Sequence, residues 1–139
     1  MVKPEMIEAG EFDKIEELTR AAVTNMLGFE LRHVGINASD ENKANGIANT
    51  FESMFGFKRK EGNSSIFAGK GLEIMKTPYL GAKGHIAIQT NYIERAIYHL
   101  SKQGYLFDMD TAKYDAKGNM VAIYFKDEVG GFAVHLVQR

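Results

Sequence analysis

Residues 84–90 read GHIAIQT. A histidine opens a short alternating strand, directly after the glycine-broken run PYLGAKG at 78–84. The first half of the chain repeats the design: HVGINASDE (33–41) aligns with HIAIQTNYI (85–93). Each segment begins with histidine, alternates through a small residue and ends at residues suited to cap a helix. The last strand of each half also has a counterpart, GLEIMK (71–76) matching FAVHLVQ (132–138). The correspondence makes the chain a duplicated unit, and that duplication decides the fold.

The segments between these strands fit the same plan. Residues 11–27 place Phe12, Ile15, Leu18, Ala22, Val23 and Met26 on one helical stripe, with Gly28 as its stop. From Glu30 the period becomes two: Leu31, His33, Gly35 and Asn37 fall on one face, and Arg32, Val34, Ile36 and Ala38 on the other. Ser39 is the expected cap of a helix carrying Ala44, Ile47, Ala48, Phe51, Met54 and Phe55 and ending at Gly56. Short strands follow in FKRKEG, SSIFAG and GLEIMKT. After GHIAIQT, Asn91 and Glu94 read as a capping box for a helix whose apolar face is Ile93, Ala96, Ile97 and Leu100, stopped by Gly104. FDMDTAKYDA, MVAIYFKD and FAVHLVQR complete the pattern. The predicted order is an N-terminal helix, then strand–helix–three strands, twice.

Bulk properties narrow the function. A chain of 139 residues is of ordinary size for one domain with a real core, and 45% hydrophobic with 25% charged residues is a globular composition. A formal net charge of −1 gives no general attraction to nucleic acid or an anionic membrane. There is no cysteine, so any metal would be held by imidazole and carboxylate. No apolar run approaches a membrane span and the first residues lack a signal-peptide core, so the expected location is cytoplasmic.

Four residues stand at matched places in the two halves. His33 and His85 open the first strands, and Glu73 and His135 lie in the last ones. If the halves fold alike, pseudo-symmetry gathers all four around one axis. Three imidazoles and a carboxylate would hold one divalent ion, Zn, Ni, Mn, Fe or Co. Taken singly, each histidine is more simply a hydrogen-bonded strand residue, and Glu73 an outward residue of a half-buried strand. The joint pattern favours ligation. His99, on a helix with no counterpart, is the control.

Residues 29–139 resemble the vicinal oxygen chelate superfamily, which includes glyoxalase I, bleomycin-resistance proteins, methylmalonyl-CoA epimerase and extradiol dioxygenases. The motifs are LRHVGI (31–36), LEIMK (72–76), GHIAIQT and YFKDEVGGFAVHLVQ (124–138), the last keeping Asp127 and Gly130 of the family's closing run. The resemblance implies an α+β fold: paired βαβββ modules, about 29–80 and 81–139, forming a curved, partly open sheet around a metal-binding cleft, with an extra N-terminal helix. It also implies a homodimer. The family's metal positions fall on His33, Glu73, His85 and His135. The last of these is glutamate in bacterial glyoxalase I. Its replacement by His135 leaves Glu73 as the one ligand able to act as general base, because a metal-bound imidazole has given up its lone pair. That departure separates the chain from methylglyoxal–thiol chemistry.

The opening stretch, MVKPEMIEAGEFDKIEELTRAAV, resembles the C-terminal tail of bacterial 2-keto-3-deoxy-6-phosphogluconate/4-hydroxy-2-oxoglutarate aldolases. Residues 1–28 are then a tail-like helix that docks on the domain or on an aldolase barrel in a fused form. The strands that carry the aldolase lysine are not part of this sequence, so no aldolase activity is assigned. The combined expectation is a glyoxalase-like, metal-dependent lyase, isomerase or epimerase. Its substrate would be a small anionic 2-oxo or 2-hydroxy acid, handled through a metal-chelated enediolate with Glu73 moving the proton. The alternative is a non-catalytic ligand-binding or oligomerisation domain derived from an aldolase fusion. The dense cations of the first half, Arg32, Lys58, Arg59, Lys60, Lys70, Lys76 and Lys83, are either a solvated face or include one or two that hold a carboxylate or phosphate at the cleft mouth.

Overall fold

The computed structural model describes residues 2–139; Met1, where the tail-like segment begins, lies outside the described residues. Eight strands form one open sheet. The first module contributes β1 (Glu30–Asn37), α3 (Glu41–Phe55), β2 (Arg59–Glu61), β3 (Ser65–Ala68) and β4 (Leu72–Met75). The second contributes β5 (Gly84–Thr90), α4 (Ile93–Lys102), β6 (Phe107–Tyr114), β7 (Met120–Val129) and β8 (Phe132–Gln138). The strand order is β2-β3-β4-β1-β5-β8-β7-β6. Each module therefore runs outward from its first strand through its fourth, third and second, and the modules join where β1 meets β5. That is the paired βαβββ arrangement expected from the repeat.

The seam is antiparallel, with Val34 opposite Ile86, Gly35 opposite His85 and His33 opposite Ala87. Outward from it, β4 pairs parallel with β1 and β8 parallel with β5. Helices cover one face of the sheet only, and the hydrophobic core is split accordingly. Under α3, Ala44 and Ala48 close on Ile66, Ala68 and Ile74. Under α4, Ile93 and Ala96 pack with Phe107, Met120, Ile123 and Leu136. The opposite face carries the histidines.

Two N-terminal helices precede the modules rather than one. A short α1 (Pro4–Glu8) leads into α2 (Phe12–Leu27), which ends at Gly28 in the left-handed conformation. The last turn of α2 is anchored in the core of the domain. Leu27 is 2% exposed and joins the α4 core, and its carbonyl accepts from Thr90 Oγ1 at 2.7 Å and the Asn91 amide at 2.8 Å. Phe12, counted in the apolar stripe, is 65% exposed.

Three local expectations are corrected. Asp40, not Ser39, caps α3: its Oδ1 accepts from the Lys43 amide at 2.8 Å, while Ser39 donates to the same carboxylate. Asn91 and Glu94 form no capping box. Asn91 is spent on α2, donating to the Met26 carbonyl, and the Ile93 amide is satisfied by Gln138 Oε1 at 2.9 Å. The strict alternation of β1 fails at Arg32, where the register slips between Leu31 and His33. Leu31 pairs with Ile88, which packs on the helix side, while His33 pairs with Ala87 on the other face. The bulge thus separates two residues that period two would place together.

The anchoring of α2 predicts unequal costs along one helix. Leu27→Ala lowers unfolding free energy by about 2–4 kcal/mol in urea titration, whereas Phe12→Ser changes it by less than about 0.5 kcal/mol. Equal losses would mean the N-terminal half of α2 is packed as firmly as its end.

Candidate metal centre

The register places the four expected residues in two parallel rows on the face without helices. One row is Glu73, Gly35, His85 across β4, β1 and β5; the other is His135, Ala87, His33 across β8, β5 and β1. The rows are related by the pseudo-twofold at Val34 and Ile86. Each has a small residue at its centre, and that residue makes the centre possible. A Cβ added to Gly35 would lie 2.0–2.4 Å from three ring atoms of His85. The His85 ring is laid across the Gly35 backbone, and its Nδ1 is sealed there without a hydrogen-bond partner.

The functional atoms converge. His33 Nε2 and His85 Nε2 are 3.1 Å apart, and Glu73 Oε2 is 3.0 Å from the first and 3.1 Å from the second. Donors held about 2.0–2.2 Å from one ion sit roughly 3–3.5 Å from each other, so these three are spaced as ligands of a common cation. Ring nitrogens of His33, His85 and His135 all fall within 4.8 Å of one another. Both nitrogens of buried His135 lack a partner. Buried His135 nitrogens left without partners beside His33 and His85 fit a metal ion better than a protein hydrogen-bond network, in which buried donors and acceptors are paired.

Electrostatics prepare the same groups. Burial raises the Glu73 carboxyl, but hydrogen bonds from His33, His85 and Ser65 outweigh it and hold the group well below the usual carboxylate range. Glu73 is therefore ionised. Burial, with His85 and His33 close by, pulls His135 down to about 3, so its ring is neutral and its lone pair available to a metal.

Two further residues support the centre. Buried Ser65 donates from Oγ to Glu73 Oε1 at 2.7 Å, fixing the carboxylate so that Oε2 faces the histidines. Tyr124, opposite His135 on β7, stacks on its ring at 4.4 Å between centroids and 13° between planes. Sequence spacing gave neither role: Ser65 sits in a run that reads as an ordinary strand, and Tyr124 reads as core. A cleft of about 290 Å³ borders Glu73, His85 and His135 and is lined also by Tyr79, Lys113 and Tyr124. The 78–83 loop beside it is pinned by Asn37, whose amide donates to the Tyr79 and Gly81 carbonyls and accepts from the Tyr79 amide. His99 lies on α4 beside Tyr98, apart from the cluster.

This architecture has counterparts among solved structures. The hypothetical protein BH1468 from Bacillus halodurans C-125 superposes with a TM-score of 0.57 at 15% identity, over 80% of this chain and 94% of that one. Methylmalonyl-CoA epimerase from Mycobacterium tuberculosis gives a TM-score of 0.56 at 16% identity, over 81% and 89%. A Streptomyces coelicolor methylmalonyl-CoA epimerase in complex with 2-nitronate-propionyl-CoA gives 0.55 at 15% identity, over 78% and 93%. The fold is the vicinal-oxygen-chelate fold. No protein-family model matches the chain, and no curated protein matches it in sequence. At such identities the likeness is one of architecture.

The crowding at Gly35 is testable. Gly35→Ala displaces the His85 ring and reduces bound metal, measured by elemental analysis, at least about tenfold, while far-ultraviolet circular dichroism stays native. An alanine variant that keeps full metal would show that His85 is not a ligand.

Proposed function

We propose that the chain is a glyoxalase-like, metal-dependent enzyme of the isomerase or epimerase type, with lyase chemistry within reach of the same groups. Its substrate is a small anionic 2-oxo or 2-hydroxy acid. The single observation that carries the reading is the convergence of His33, His85, His135 and ionised Glu73 on rigid strands beside a cleft. That two of its structural neighbours are methylmalonyl-CoA epimerases supports it at the level of reaction type.

His33, Glu73, His85 and His135 would hold one divalent ion, Zn, Ni, Mn, Fe or Co. Such an ion, when bound, draws electron density from substrate oxygens and makes a neighbouring C–H more acidic. The remaining work falls to the chain. Glu73 is the one carboxylate in the cluster, and we assign it the proton taken from and returned to the substrate carbon. Ser65 orients it through Oε1. Tyr124 keeps the His135 ring in place, and Lys113 at the cleft wall offers a charge to the substrate carboxylate.

The reading includes a homodimer or a fused aldolase barrel as the partner of the N-terminal segment. Ile7 and Phe12 are 57% and 65% exposed there, as in a segment that packs on another body.

Wild-type protein expressed without an affinity tag should contain about one equivalent of metal per chain. With metal it should exchange the C–H next to the carbonyl or hydroxyl of a 2-oxo or 2-hydroxy acid into deuterated water, followed by proton NMR. Glu73→Gln lowers that exchange roughly 10²-fold or more at saturating metal, and His99→Ala leaves it unchanged. Absence of metal after reconstitution would sink the chelation chemistry. Full metal without exchange on any such acid would favour the non-catalytic binding module. Light scattering on the same sample gives the oligomeric state, and a dimer that Phe12→Ser disrupts would place the partner on the N-terminal segment.

A further inference from the structure

The ligand cluster has a second opening. His33, 12% exposed at its side chain, also borders a groove of about 630 Å³ whose other walls are Arg32, Lys60, Phe67, Gly69, Lys70 and Val137. This groove holds three cations and no acid, whereas the cleft on the other side of the cluster holds one of each, Lys113 and Glu73. The three cations are also distinguished from their neighbours in sequence. Arg59 is engaged by Asn45, Asn49 and Glu61, and Lys76 by Glu41 and Glu61. Among the described residues, Arg32, Lys60 and Lys70 make no ion pair with a carboxylate.

The backbone brings two of these side chains, Arg32 and Lys60, to the face of the metal centre, and Lys70 lines the same groove from the turn after β3. The bulge in β1 lets Arg32 line the same groove as His33, although strict alternation would send it to the helix side. Lys60 pairs with Phe67, and Phe67 with Glu73, so Lys60 shares the row and face of the carboxylate. Two strand spacings separate them, roughly 10 Å. The Phe67 ring stands edge-on to His33 with centroids 5.8 Å apart, forming a wall common to cluster and groove.

We infer that Arg32, Lys60 and Lys70 form a subsite for a second oxyanion of the substrate, a phosphoryl or carboxylate group carried a few bonds from the reacting carbon. The assignment rests on the proposed chemistry of the same site and narrows its substrates to 2-oxo or 2-hydroxy acids with an anionic tail. Guanidinium and ammonium groups recognise such oxygens through charge-assisted hydrogen bonds. Phe67 and Val137 exclude water on the apolar side of the tail.

Two measurements test it. On metal-free protein, inorganic phosphate is titrated while ¹H–¹⁵N shifts are followed. Saturable shifts at Arg32, Lys60, Gly69 and Lys70 are expected, weakening as ionic strength rises. On zinc-loaded protein, calorimetry compares glycerate with 3-phosphoglycerate, and 2-oxobutyrate with 2-oxoglutarate. The tailed acids should bind about tenfold more tightly, the scale of three partly solvated charge pairs acting together. An R32Q/K60Q/K70Q variant with unchanged zinc content should lose that advantage. A gain for 3-phosphoglycerate alone assigns the subsite to phosphoryl groups; a gain for both assigns it to oxyanions generally. Equal affinities within each pair, or an advantage that survives the triple substitution, overturns the inference. If zinc does not bind, the proposed function falls, and the phosphate titration still decides the groove.

Discussion

The antiparallel register of β1 on β5 is the constraint on which the rest of the molecule depends. With Val34 opposite Ile86, each strand's opening histidine faces the small residue two places beyond the other's. A slip of β1 by one residue against β5 would turn His33 to the helix side and send Val34 into the centre. A slip of two would place the imidazoles against different neighbours. The register is held from both sides. On the helix face, the cores under α3 and α4 accept only the apolar set of each strand. On the other face, the His85 ring fits over Gly35 and no side chain larger than hydrogen.

Much of this was legible in the sequence because it is encoded by repetition. HVGI and HIAI mark the two strands of the seam, and the apolar spacing of the helices is carried on single segments, where local periodicity suffices. The four clustered residues were found the same way, by their matched positions rather than by any one motif. What was not legible depends on partners distant in sequence. The cap of α4 comes from Gln138, some 45 residues on. Ser65 is tied to Glu73 by a cross-strand diagonal, and Tyr124 to His135 by the β7–β8 pairing. The bulge at Arg32 leaves no mark on the spacing of β1, since it is a property of the pairing and not of the strand.

The N-terminal region shows the same division. The stop at Gly28 is local chemistry, a left-handed residue ending a helix. The exposure of Phe12 is not local, for an amphipathic stripe declares a face without declaring what covers it. Here the stripe reaches the core under α4 through Val23 and Met26, beside Leu27, while Phe12 at its start is left exposed.

The duplication has a consequence for orientation. A centre with exact twofold symmetry would present each group twice, so a substrate could lie in it in two equivalent orientations related by the axis. The present centre keeps the frame of such symmetry while filling its equivalent places differently: carboxylate at 73 against imidazole at 135, hydrogen at 35 against methyl at 87. A molecule lying between the rows meets a carboxylate on one side and an imidazole on the other, so its two orientations are no longer equivalent. Direction enters through substitution on a symmetric scaffold: the two modules supply one frame, and the unequal residues at 35/87 and 73/135 decide which way round a molecule lies in it.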